Sequence, residues 1–131
     1  MHKMTDDEFE QAVQEALDSI PQRFIDSLDN VGIALQDEPD VEQLGDADLG
    51  TQDRDSGELL GLYEGIALTE RGQDYGEPGD MPDIITIFKG PHERCFDTRE
   101  EVVEEIRKTV VHEIGHYYGL DEDQLAGMGY D

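Results

Sequence analysis

The stretch from Thr98 to Gly119, TREEVVEEIRKTVVHEIGHYYG, decides how this chain folds. Thr98 followed three residues later by Glu101 is a capping-box pattern, in which the hydroxyl and the carboxylate each satisfy an orphan amide at a helix start. Val102, Val103, Ile106, Val110 and Ile114 recur at helical spacing and form an apolar stripe, while Glu104, Glu105, Arg107 and Lys108 fall on the wetter side. Gly119 supplies the stop, because only glycine enters the left-handed conformation of a C′ residue without penalty. Within this helix His112 and His116 are four residues apart, so their imidazoles leave nearly the same face about 6 Å apart. Two neutral imidazoles so placed suit one Zn²⁺, with bonds of about 2.0–2.1 Å. Glu113 lies about 100° further round the helix, off the ligand face, where it can reach a metal-bound water as a general base.

Working outward, Thr5 and Glu8 form a second capping box. Phe9, Val13, Ala16, Leu17 and Ile20 give a helix from there to about Asp18. Pro21 opens a further helical turn, where Phe24, Ile25 and Leu28 continue the apolar face. Residues 30–36, 59–63 and 83–89 read as strands, the last being β-branched and closed by Gly90-Pro91. Ile66 to Thr69 extends the second strand, and 72–82 is a Gly- and Pro-punctuated loop. After Gly119, Asp121 and Gln124 cap a last short helix. The expected fold is α+β: a single domain over residues 1–131, with a mixed sheet of about three to four strands packed against an N-terminal helix and the long helix.

The charge balance narrows the partners. Thirty-four acidic residues face nine basic ones, for a formal charge of -25. Such a surface repels nucleic acid and anionic membranes, and serves first to keep the protein soluble. From Asp37 to Gly57 acidic residues are dense and large apolar ones few, so a mobile solvated loop is expected. Asp46-Ala47-Asp48-Leu49-Gly50 is not an EF-hand, since its glycine comes fifth and position twelve is Gly57. The single Cys95, with no apolar leader and no run of membrane-spanning length, points to a reducing, cytoplasmic setting, with a monomer as the default. Cys95 itself reads as a small packing residue.

A zinc site of this type needs a third protein ligand and an open position for water. A turn at Gly119 carries Asp121, Glu122 and Asp123 back toward the imidazoles. Asp121 already has a capping role, and Glu122 stands at the spacing where metzincin-type sites place their third ligand. Leu62-Tyr63-Glu64-Gly65, Leu68-Thr69-Glu70-Arg71-Gly72, Ile85 to Pro91 and His112 to Leu125 together resemble the small bacterial zincin-like metallopeptidases, which carry an HExxHxxGxxD-type motif on a reduced metzincin scaffold. The resemblance covers nearly the whole chain and is weakest in the acidic stretch. Glu122 departs from it, since aspartate is usual there. It implies a peptidase-like site, which with the spacing above gives one Zn²⁺ held by His112, His116 and Glu122 and Glu113 as the base of peptide hydrolysis. The substrate is then a peptide or protein, laid along a strand edge such as Leu59–Tyr63. Met128, Arg71, Tyr117, Tyr118 and Tyr130 read as packing or ion-pairing residues. Two other functions fit the same residues: a metal-binding module without turnover, and an acidic domain that engages a basic partner.

Overall fold

The computed structural model describes residues 1–26, 28, 30–65 and 83–119. In chain order the elements are helices α1 (Asp6–Asp18) and α2 (Gln22–Asp26), strand β1 (Val31–Gln36), helix α3 (Val41–Gly45), a 3-10 turn (Ala47–Leu49), strands β2 (Thr51–Gln52), β3 (Leu59–Glu64) and β4 (Asp83–Phe88), and helices α4 (Lys89–Cys95) and α5 (Arg99–Tyr117). No helix among the described residues is long and apolar enough to cross a membrane.

The four strands form one mixed sheet in the order β1-β4-β3-β2. β1 runs parallel to β4, and both other pairs are antiparallel. β4 is covered on both faces, which explains its near-continuous apolar composition. Ile85 and Ile87 point into a core shared with Phe9, Ala12, Val13 and Ala16 of α1 and Val102, Ile106, Val110 and Ile114 of α5. Phe88 turns the other way and meets Leu59 and Leu62, with Ala47 of the 3-10 turn packed against them. α1 carries its full capping box: Thr5 Oγ accepts from the Glu8 amide at 3.1 Å, and Glu8 Oε1 accepts from the Thr5 amide at 3.0 Å. At α5 only the Thr98 half of the box is seen, with its hydroxyl accepting from the Glu101 amide at 3.1 Å.

Three expectations change. The acidic stretch carries α3, the 3-10 turn and β2. Asp40 caps the Gln43 amide at 2.8 Å and Gln43 returns to the Asp40 amide at 2.9 Å, so two local bonds start a helix in a region where composition signals solvation. Arg94 then clamps the stretch from outside, forking to Glu38 at 2.7 and 2.9 Å and to Glu58 at 2.6 and 2.9 Å. Secondly, Gly90-Pro91 does not end in a loop but sits in the first turn of α4, where the missing proline N–H would have had no helical partner. Thirdly, β3 is not an edge over Leu59–Gly61: β4 flanks it on one side and β2 on the other, leaving β1 and β2 as the outer strands among the described residues.

One glycine sets the distance between helix and sheet. A Cβ on Gly61 would lie 2.4 Å from Thr109 Cγ2, so α5 reaches β3 only because residue 61 has no side chain.

Candidate metal centre

α5 brings His112, Glu113 and His116 to the end of the helix that overlies β3 and β2. The two imidazoles stack with ring centroids 5.0 Å apart and 27° between planes, as one helical turn dictates. One nitrogen from each ring and one Glu113 oxygen all lie within 4.8 Å of one another. His112 is buried, His116 half-buried and Glu113 has no exposed surface. Two imidazoles with a neighbouring carboxylate are a donor set that fits zinc.

Glu113 is held from the sheet. Its Oε1 accepts the Tyr63 backbone N–H at 2.9 Å, and its Oε2 accepts the Thr51 hydroxyl at 2.6 Å. β2 pairs with β3 only at Thr51↔Gly61 and Gln52↔Leu59, so strand pairing stops short of Tyr63 and leaves its outward amide to the carboxylate. A carboxylate without exposed surface is costly unless hydrogen-bonded, and these two donors meet that cost. A carboxylate oxygen carries two lone pairs, so one that accepts a hydrogen bond can also take a proton from a water beside it. With both oxygens committed to protein donors, Glu113 is better suited to proton transfer than to direct ligation.

The tyrosines pack. Tyr117 is buried, edge-on to Tyr63 at 6.2 Å and to Tyr118 at 5.3 Å, and the Tyr63 hydroxyl donates to Asp83. Cys95 is half-buried beside Ser56 and Glu58, and burial pushes its thiol up to about 11. A cavity of about 400 Å³ opens beside His112, with Leu60 and Phe96 supplying apolar wall and Thr51, Glu105 and Lys108 polar wall.

Of the residues singled out from sequence, the structure brings together His112, Glu113 and His116. Arg71, Asp121, Glu122, Asp123, Met128 and Tyr130 lie outside the described residues. Sequence reading missed Thr51 and the Tyr63 amide. Nothing local marks Thr51, which sits 62 residues from its partner in a strand of two. A main-chain donor leaves no residue-type signature at all.

A four-stranded sheet carrying a capped helix with two stacked histidines and a held carboxylate defines a candidate metal-dependent hydrolytic centre. Residues 28–130 match the family of zincin-like metallopeptidases, and the chain belongs to that family. Among solved structures the chain is similar to a conserved hypothetical protein from Thermo thermophilus, at 19% identity and a TM-score of 0.52, covering 95% of this chain and 99% of that one. That likeness concerns the fold alone. No curated protein matches.

Proposed function

We propose that this protein is a zinc-dependent peptidase, in which His112, His116 and Glu122 hold one Zn²⁺ and Glu113 is the general base. The observation that carries this reading is the convergence of His112, Glu113 and His116 within 4.8 Å, with the Glu113 carboxylate oriented by two donors from the sheet. When bound, zinc supplies Lewis acidity and lowers the pKa of a coordinated water toward neutrality. Glu113 takes the proton of the attacking water and delivers it to the leaving amine. The buried helix face excludes bulk water from the carboxylate, and the cavity beside His112 receives a substrate side chain. Substrates are peptides or proteins; the charge of -25 disfavours nucleic acids and anionic membranes and favours cationic substrates in encounter. The protein acts as a cytoplasmic, single-domain monomer.

A second reading, a structural metal site without turnover, draws on the complete burial of Glu113. The two part on activity. Metal quantification on the wild type, His116→Ala and Glu122→Ala should give one zinc per chain in the wild type and loss in both variants. Unchanged zinc in both would overturn the ligand assignment. Glu113→Gln should keep its zinc and lose peptide cleavage, whereas full cleavage by that variant would remove Glu113 as the base.

A further inference from the structure

We infer that Thr51 is a positioning residue for Glu113: its hydroxyl, projecting from β2, fixes the plane of the carboxylate that α5 presents beside the two histidines. This rests on the reading of Glu113 as the base and adds to it the device that aims it. The Thr51 Oγ to Glu113 Oε2 distance of 2.6 Å is that of a short hydroxyl–carboxylate bond. The last torsion of a glutamate is broad and roughly two-fold, so donors on opposite oxygens fix the plane of the carboxylate. The Tyr63 amide provides one of them at 2.9 Å, and Thr51 provides the other.

Local backbone features aim Thr51 at α5. The β2–β3 register shifts between Thr51 and Gln52, and such irregularities redirect side chains at strand ends. Gly50 lets the chain approach β3 closely, because a Cβ there would sit 2.5 Å from the Gly61 carbonyl oxygen. Thr51 also lines the cavity that His112 lines. Side-chain partners of this kind usually change activity by about 10- to 100-fold when removed.

The test compares the zinc-loaded wild type with Thr51→Val, which keeps the shape without the hydroxyl, and Thr51→Ser, which keeps the hydroxyl. Thr51→Val should lower kcat by about 10- to 100-fold with KM within about two-fold and zinc stoichiometry unchanged, and Thr51→Ser should recover kcat to within about three-fold of the wild type. A second readout needs no turnover: in the metal-free protein Thr51→Val should lower Tm by a few degrees, and in a Glu113→Ala background it should not. Undiminished kcat in Thr51→Val, equal losses in the valine and serine variants, or a Tm loss that persists without Glu113 would each overturn the role of Thr51 alone. A wild type that binds zinc and cleaves no peptide would overturn the base assignment itself, and the role of Thr51 with it.

Discussion

Gly61→Ala tests whether α5 must lie this close to β3 for Glu113 to reach the Tyr63 amide. The added methyl would sit 2.4 Å from Thr109 Cγ2 and 3.2 Å from the Thr86 carbonyl oxygen. Carbon atoms in ordinary contact stand about 3.5–4.0 Å apart, so the helix must lift by about 1 Å or the strand must yield as much. Thr109 lies one helical turn before Glu113, and Gly61 two residues before Tyr63, so this displacement acts on the 2.9 Å bond between carboxylate and amide. Overpacking of this kind costs about 1–3 kcal/mol. At about 4 °C per kcal/mol for a domain of this size, Tm should fall by about 4–12 °C. Thr109→Ser removes the opposing methyl. The Thr109 hydroxyl has no hydrogen-bond partner among the described residues, so alone this change costs roughly the transfer energy of one methyl group, about 1 kcal/mol. The double variant should then be more stable than the sum of the singles allows. Melting of the metal-free proteins keeps zinc linkage out of the comparison. A Gly61→Ala protein within about 1 °C of the wild type, or a strictly additive double variant, would refute the claim that the methyl-sized gap sets the helix–sheet distance.

Two further outcomes concern titratable groups away from the candidate metal centre. His92 is fully buried between Phe9 and Phe96; its Nδ1 pairs with the Phe88 carbonyl at 2.7 Å, and its Nε2 has no partner among the described residues. Burial lowers its pKa from 6.5 to about 4, so the unfolded chain takes up the proton first as pH falls. The stability this contributes is present above pH 6.5 and is lost between there and about pH 4, amounting to about 3 kcal/mol. Denaturant titrations of the wild type and His92→Leu across that window should show the wild type losing this much more than the variant, and parallel curves would refute the assignment. Cys95, raised from 9.0 to about 11 by burial, carries about 100-fold less thiolate at pH 8, and with the greater nucleophilicity of a more basic thiolate should react with a thiol reagent about 10-fold more slowly in the native protein than in denaturant. Equal rates would show the thiol to be accessible and ionised.

What was legible in the sequence was what depends on neighbours along the chain. The limits of α1 and α5, the apolar stripe of α5 and the stop at Gly119, whose φ is 82°, all follow from caps and spacing within a turn or two. β4 was visible as a β-branched run. α4 was not, because Gly90-Pro91 carries the same letters whether it ends a strand or opens a helix. In the acidic stretch the Asp40 and Gln43 capping pair was present, but density of charge outweighed it, and a strand of two residues has no period to detect. The candidate metal-ligating pair was legible for the reason α5 was: both imidazoles belong to one helix. The parts that aim Glu113 come from β2 and β3, and their placement depends on sheet register, which no local pattern encodes.

The bond from the Tyr63 amide to Glu113 has a consequence for how such a centre tolerates change. A donor that belongs to the main chain is indifferent to the side chain at its position, so every amino acid except proline would supply it. Drift at position 63 leaves this main-chain anchor untouched, while a single substitution at Thr51 deletes the side-chain one. Relatives with the same chemistry would therefore share the alignment of β3 on β4 more faithfully than the letter at this place. A comparison of residue identities alone would overlook a group that holds the Glu113 carboxylate.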